Sequence, residues 1–274
     1  MVRVASYGLT IVGLLLSGCV LYVLFSYGSA FLFRPSTWSG AKLWRAALKE
    51  LLTTFLLVPL WPLWWLLGSV YRLGEEGVGT ARGRRNPIIL LHGFGMNRTQ
   101  WMWMARRLRA RGLGPIYGFN YFSLQGVPRS ARRLQRYVDD VLARESVSEI
   151  DIVAHSLGGL VARYFIERMG GSRHVGRLIT IGTPHGGTRL GRFVPLVPSA
   201  RDLLGGSALL QDLGVVRPGA AYTSIWSRAD AIIQPPESSS IAPAGIDEVF
   251  DDLGHLSLVV SPRVVDVIEG RLRD

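Results

Sequence analysis

A strand that runs through a single serine directly into a helix constrains the fold of this chain more than any other feature. The stretch Ile150–Gly159 reads IDIVAHSLGG, with an apolar strand pattern before Ser156 and a helical pattern after it. In such a sharp turn, the residues two before and two after the serine must be small. Ala154 and Gly158 meet that condition. The stretch predicts a nucleophilic serine on a tight strand-to-helix turn, the alternative being a serine that only caps the helix.

Beyond residue 86, short apolar runs alternate with helical patterns. The apolar runs predict strands at Pro87–Leu91, Pro115–Phe122, Ile150–Ala154, Arg177–Gly182, Tyr222–Trp226 and Asp247–Phe250. Helical periodicity predicts helices at Trp101–Arg111, Ser130–Arg144, Leu157–Met169 and Pro262–Leu272. Strands that alternate with helices form a mostly parallel sheet covered on both faces. We therefore expect an α/β fold in residues 87–274, which are enough for one domain with its own core.

The amino-terminal part differs in composition, because it contains two long runs without any charged residue. They cover residues 4–33 and residues 51–71. A spanning helix needs about 20 predominantly apolar residues, so both runs are long enough. The first predicts a transmembrane anchor helix at about residues 5–33. The second contains Pro59, Pro62 and several tryptophans, so it either spans the membrane or lies at its interface.

Basic residues flank both uncharged runs. Residues 34–50 form a basic connector, and residues 72–86 are rich in glycine and arginine, which is typical of a linker. Nine of the 31 basic residues and three of the 20 acidic residues lie in residues 1–85. The net charge of +11 is therefore divided almost evenly between this part and the rest. An anionic membrane surface explains such charge without nucleic acid, but the side of the membrane stays open.

Cys19 is the only cysteine, so no intrachain disulfide can form. The four residues Leu16–Cys19, LSGC, resemble a bacterial lipobox, in which the cysteine carries lipid. The residues after Cys19 stay apolar through Phe33, where a lipoprotein has a polar tether. A cleaved signal peptide has an apolar core of about 7 to 15 residues, which this run exceeds. The pattern favours an uncleaved anchor, with lipobox use of Cys19 as the alternative.

A serine hydroxyl needs a base that accepts its proton and an acid that orients that base. In folds with this strand–serine–helix turn, the acid and then the histidine follow the serine along the chain. Of the five histidines, only His255 follows a plausible acid. Asp230 is the preferred acid, because it comes just after a predicted strand. Asp247, Asp251 and Asp252 are its rivals.

Attack on a carbonyl group places negative charge on the carbonyl oxygen, which two backbone amides must stabilise. We predict that these donors, the oxyanion hole, are Leu157, directly after the serine, and Phe94, in the loop after the first strand. His92, in the same loop, is interpreted as bracing that loop, because the base comes last in chain order. His155 is interpreted as a packing residue that points away from the site. His174, in a polar loop, has no predicted role.

With these residues placed, the chain resembles the bacterial lipases and esterases of the α/β-hydrolase superfamily, and more loosely the membrane-bound GPI inositol deacylases. The resemblance covers roughly residues 87–270. It rests on His92–Gly95, Ala154–Gly159, Thr183–Thr188, Asp230 and His255. It implies that Gly93, Pro184 and His185 lie at the substrate pocket and that residues 189–221 form a small apolar cap. Such a cap favours an acyl chain as substrate, the alternative being that its apolar residues are ordinary core.

The resemblance implies a serine hydrolase that cleaves carboxylic esters, with lipid acyl esters as the favoured substrates, through an acyl-enzyme at Ser156. The predicted anchor helix places it in a membrane, which we expect to be the bacterial inner membrane. No cofactor is implied and no metal-ligand spacing is present in the sequence, while a structural calcium ion is left open. The expected partners are the acyl ester and the membrane. Two alternatives remain, an acyltransferase or thioesterase with the same triad, and a catalytically silent domain used as an interaction module.

Overall fold

Six parallel strands form one sheet in the computed structural model, which describes residues 2–33, 40–57, 86–216 and 219–274. The strands are β1 (Ile88–Leu91), β2 (Ile116–Phe119), β3 (Ile150–His155), β4 (Val175–Ile181), β5 (Ala221–Ser227) and β6 (Ile246–Phe250). Their order across the sheet is β2-β1-β3-β4-β5-β6, and every neighbouring pair is parallel. The carboxyl ends of all six strands therefore share one edge, and β3 and β4 lie at the centre.

Eight α-helices occur within the described residues. They are α1 (Val2–Phe33), α2 (Gly40–Leu57), α3 (Met102–Ala110), α4 (Val127–Glu145), α5 (Leu157–Arg168), α6 (Pro198–Asp202), α7 (Ala208–Leu213) and α8 (Pro262–Arg273). Short 3-10 helices, among them Arg98–Trp101 and Arg189–Phe193, complete the connections.

Both faces of the sheet are covered, which explains why the strands read as continuous apolar runs. In β1, Ile89 and Leu91 belong to the core cluster that contains buried residues of α4 and α5. Ile88 and Leu90 belong to the cluster that contains residues of α3 and α8. Because successive strand residues point to opposite faces, one four-residue strand contributes to both layers.

The predicted α/β fold with a mostly parallel sheet is confirmed, and each predicted strand and helix of residues 87–274 is present. The boundaries differ by a few residues. Helix α4 begins at Val127 instead of Ser130, because the Asp202 carboxylate accepts a hydrogen bond from the Val127 amide at 2.7 Å. In the predicted cap, residues 189–213 form the 3-10 helix Arg189–Phe193 and the helices α6 and α7.

Helices α1 and α2 pack on each other and on the α/β unit. Val23, Tyr27 and Ala46 are buried in a cluster that also contains Ala229 and Ala231, just after β5. Among the described residues, no helix has both the length and the apolar character that crossing a membrane requires. The predicted spanning helices are therefore not confirmed. Much of the second run, and nearly all of the predicted linker, lie outside the described residues.

Candidate active site

Ser156 occupies the sharp turn between β3 and α5. Its backbone has φ 53° and ψ −123°, outside the regions that residues with a side chain favour. Its amide donates a hydrogen bond to the Ile181 carbonyl oxygen on β4 at 2.9 Å, which ties the turn to the centre of the sheet. Backbone strain of this kind persists where the surrounding structure enforces it, and it concentrates at functional sites.

Close packing explains the small residues around this turn. A Cβ atom at Gly158 would lie 2.7 Å from the His92 carbonyl oxygen, and one at Gly93 would lie 3.1 Å from the Ser156 Cβ atom. Ala154 is fully buried, and it belongs to the core cluster that contains residues of α4 and α5. The turn therefore accepts alanine two residues before the serine but has no room for a side chain two residues after it.

His255 and Asp230 are in direct contact across 25 residues of sequence. The His255 Nδ1 atom lies 2.7 Å from the Asp230 Oδ2 atom. The other carboxylate oxygen, Oδ1, accepts hydrogen bonds from the amides of Ile232 at 2.8 Å and Ile233 at 3.0 Å. These contacts fix the position of the carboxylate. Because Asp230 contacts Nδ1, the other imidazole nitrogen of His255, Nε2, has no contact with Asp230.

The rival acids Asp247, Asp251 and Asp252 have other partners. These are, respectively, the Ile241 amide with Ser240, Arg228, and Lys49 with Arg263. The geometry therefore singles out Asp230 as the partner of His255.

The electrostatic surroundings separate His255 from the other buried histidines. Burial lowers the pKa of His255, but the Asp230 carboxylate, and to a smaller extent that of Glu50, raise it, so that the pKa lies above the ordinary value. Burial lowers the pKa of His92 to about 4 and that of His185 to about 3. Of these three imidazoles, only that of His255 has a pKa above the ordinary value, so its surroundings favour the protonated form.

The two predicted oxyanion donors both lie close to Ser156. Leu157 is the first residue of α5, and Phe94 lines the same cavity as Ser156. Neither amide donates a hydrogen bond to another residue of the described chain, so both can serve an incoming oxygen. His92 supports the Phe94 loop, since its carbonyl oxygen accepts a hydrogen bond from the Tyr121 hydroxyl at 2.7 Å and its ring stacks on Tyr121.

His155 does not point away from the site, and that interpretation was wrong. Its side chain lines the cavity with Ser156, and its ring centroid lies 4.6 Å from that of His255. Its Nε2 atom lies 3.3 Å from the His255 carbonyl oxygen. The reason is the absence of a side chain at Gly93, where a Cβ atom would lie 2.8 Å from the His155 ring.

A cavity of about 490 Å³ connects Ser156 and His255. Most of its lining residues are apolar. They come from the Phe94 loop, from the region predicted as a cap and from the segment after Asp230, and they include Met96, Leu190, Val194, Leu203, Ile232 and Ile233. Its size and apolar lining suit a small-molecule site of the kind that holds an acyl chain.

The remaining predicted pocket residues have different positions. Pro184 lines the cavity, and Gly93 packs directly behind Ser156. His185 is not among the described residues that line it. The His185 ring is buried with Nε2 3.1 Å from the Thr180 hydroxyl oxygen, and it lines a second cavity of about 270 Å³.

The amino-terminal helices also contribute to the cavity, which the sequence did not predict. Gly18, Cys19 and Tyr22 of α1 and Thr54 of α2 line the same cavity as Ser156. Apolar helices carry no local signal for the surface against which they pack. The only hint is Glu50, the single acidic residue that precedes the long uncharged run of residues 51–71.

The parallel sheet, the serine on its sharp turn and the buried His255–Asp230 contact define an α/β-hydrolase fold. Solved structures agree. The chain is similar to the mature lipase BlEst2 of Bacillus licheniformis, with a TM-score of 0.64 and 15% identity over 74% of this chain and 97% of that one. It is also similar to lipase B of Aspergillus fumigatus, with a TM-score of 0.62 and 18% identity over 73% and 55%. Likeness at these identities shows the fold.

Sequence comparison places the chain in a family. The model described as "Domain of unknown function (DUF7379)" matches residues 76–221, more than half of the chain, and the chain belongs to that family. Curated relatives include triacylglycerol lipases of Pseudarthrobacter phenanthrenivorans and Burkholderia plantarii, each 31% identical over 124 residues, or 42% of this chain. The chain spans 38% and 34% of their lengths. The resemblance to α/β-hydrolase lipases and esterases is confirmed.

We expect the His255 imidazole to titrate with a midpoint above 6.5, the ordinary histidine value, because Asp230 stabilises its protonated form. In Asp230→Asn the midpoint should fall, since burial then acts with less opposition. Histidine side-chain NMR on the solubilised protein measures this, and loss of the signal in His255→Gln assigns it. A wild-type midpoint below 6.5 would contradict the expectation.

Proposed function

We propose that this protein is a serine hydrolase that cleaves carboxylic esters of lipids. The observation that carries the proposal is the buried Asp230–His255 contact, with His255 and the strained Ser156 lining one apolar cavity. The similarity to triacylglycerol lipases over 42% of the chain supports the same reaction class. This combination of groups is not explained by a contribution to the stability of the fold, because backbone strain is unfavourable and a buried ion pair contributes little to stability.

In the proposed reaction, the Ser156 hydroxyl oxygen attacks the ester carbonyl carbon while His255 accepts the hydroxyl proton. The negative charge on the carbonyl oxygen is stabilised by the amides of Leu157 and Phe94. His255 then donates the proton to the departing alcohol, and an acyl-enzyme remains. Water then attacks the carbonyl carbon of the acyl-enzyme while His255 accepts a proton from it. His255 returns that proton to the Ser156 oxygen as the carboxylic acid leaves, and Asp230 holds the imidazole orientation throughout.

The acyl group is proposed to occupy the 490 Å³ cavity. Leu190, Val194 and Leu203 form the side that belongs to the predicted cap, and α1 contributes Cys19. Leu203 and Cys19 are buried. An acyl chain gains roughly 0.8 kcal/mol for each methylene that leaves water, so such a cavity favours longer chains.

We also propose that the apolar surface beside the cavity contacts a membrane. On α1, Leu21 and Leu24 are 65% and 63% exposed, and on the predicted cap Leu196 is 91% exposed. The Phe25 and Phe193 rings touch edge to face at 5.0 Å between centroids, which joins the two surfaces into one. Contiguous exposed apolar surface of this kind marks a site for a membrane or another partner, and a lipid substrate favours the membrane.

Replacement of Ser156 by alanine should lower the rate of hydrolysis of p-nitrophenyl esters by at least about a thousandfold, and the fold should be unchanged. The wild-type protein should react with a fluorophosphonate probe and the variant should not. Activity that survives in Ser156→Ala, or a folded wild-type protein that neither hydrolyses these esters nor reacts with the probe, would overturn the proposal.

Cys19→Phe should shorten the cavity, because Cys19 is buried and lines it. We expect kcat/KM for the palmitate ester to fall about tenfold, with that for the acetate ester retained. Val20→Phe, which introduces the same side chain at a neighbouring and more exposed position of α1, is the matched control. Equal loss for both esters would show that Cys19 does not limit chain length.

A fluorophore attached to Leu196→Cys, in a Cys19→Ser background, tests the membrane surface. In vesicles of phosphatidylglycerol and phosphatidylcholine, its emission should shift to the blue and be quenched by brominated lipid. The matched control is Val215→Cys, at a residue that is 80% exposed and lines the second cavity, where the probe should remain in water. Identical, water-like emission at both positions would disprove contact of the predicted cap with the membrane.

A further inference from the structure

The side chain of Glu50 lies under the loop that carries His255. Glu50 belongs to α2 and is 1% exposed. Its Oε1 atom accepts a hydrogen bond from the Leu256 amide at 2.9 Å, and its Oε2 atom accepts one from the Ser257 amide at 3.0 Å. A buried carboxylate is unfavourable unless donors satisfy it, and here the donors are the backbone of the two residues after His255.

The loop is shaped around this carboxylate. Gly254 packs against the Glu50 carboxylate, and a Cβ atom at Gly254 would overlap with it and lie 2.6 Å from the Tyr27 hydroxyl oxygen. Within the loop, the Gly254 amide donates to the Ser257 hydroxyl at 2.7 Å, and that hydroxyl donates back to the Gly254 carbonyl oxygen at 3.1 Å. The turn at residues 254–257 is thus closed internally and held from below by Glu50.

We infer that Glu50 is a positioning residue for His255, which makes the paired helices α1 and α2 part of the active site. The inference rests on the proposed hydrolase function. It follows from three facts: Glu50 binds the amides next to His255, Leu256 lines the cavity, and α1 and α2 supply further lining residues. Glu50 does not touch the reacting atoms, and it acts through the backbone that sets the imidazole position.

The charges around Glu50 give this role an electrostatic component. The ionisable groups that face it are Tyr22 and Tyr27 of α1, Asp230 after β5, and His255, while Lys49 and Asp252 pair with each other nearby. Burial raises the pKa of Glu50 to about 7, and the two backbone hydrogen bonds and His255 act against that rise. Ionised Glu50 in turn raises the pKa of His255.

The test compares Glu50→Gln and Glu50→Ala with Lys49→Ala. Glutamine keeps the size of the side chain, but it has only one acceptor oxygen for two amides and no charge. We expect kcat/KM for p-nitrophenyl acetate to fall in Glu50→Gln and further in Glu50→Ala, up to roughly a hundredfold, because a small displacement of a catalytic group is enough. Lys49→Ala removes a partly exposed ion pair between the same helix and the same loop and should keep most of the activity.

Two readouts separate positioning from a general loss of structure. The acidic limb of the pH–rate profile, and the His255 midpoint measured by NMR, should both move to lower pH in Glu50→Gln, because a negative charge near the imidazole is lost. The unfolding midpoint of Glu50→Gln should stay near that of the wild type. The NMR midpoint does not depend on hydrolysis, so it tests Glu50 even if Ser156→Ala shows that the proposed function is wrong.

The inference is overturned if folded Glu50→Gln has the kcat/KM and the His255 midpoint of the wild-type protein. It is equally overturned if Lys49→Ala lowers kcat/KM as much as Glu50→Gln does, because any contact between α2 and the loop would then have the same effect. Partial activity in Glu50→Gln with a lowered His255 midpoint supports it.

Discussion

The strained backbone of Ser156 is the constraint on which the rest of the structure depends. A residue with a side chain is held at φ 53°, and such strain persists only if several independent contacts oppose its release. Here the opposing contacts are the hydrogen bond to Ile181 on the central strand β4 and the close approach of α5 to the loop after β1. The central strands of the sheet thus serve as the rigid support for one hydroxyl-bearing residue, which lines the cavity.

The parallel sheet also explains why distant residues meet at this serine. Because all six strands end at the same edge, the loops after β1, β3, β5 and β6 converge there and bring in Phe94, Ser156, Asp230 and His255. Charged neighbours then distinguish the buried histidines. The Asp230 carboxylate outweighs the effect of burial on the pKa of His255, whereas His92, with no carboxylate among the causes of its pKa shift, becomes a weaker base.

Local patterns were enough to predict the sheet, the Ser156 turn and the pairing of Asp230 with His255, because each depends on a few adjacent residues or on chain order. His155 could not be placed from sequence, since its orientation depends on the space that Gly93 leaves in a different loop. The roles of Cys19 and Glu50 depend on how α1 and α2 pack across the chain. The apolar face of a helix indicates that this face is buried, but it does not indicate which part of the protein the face packs against.

The position of Glu50 links two properties of the site that would otherwise be independent. Its hydrogen bonds to the His255 loop exist only while α2 lies against that loop, and the same helices supply Cys19 and Thr54 to the wall of the cavity. The cavity that we propose for the acyl group and the positioning that we propose for His255 therefore both depend on how α1 and α2 pack against the α/β unit.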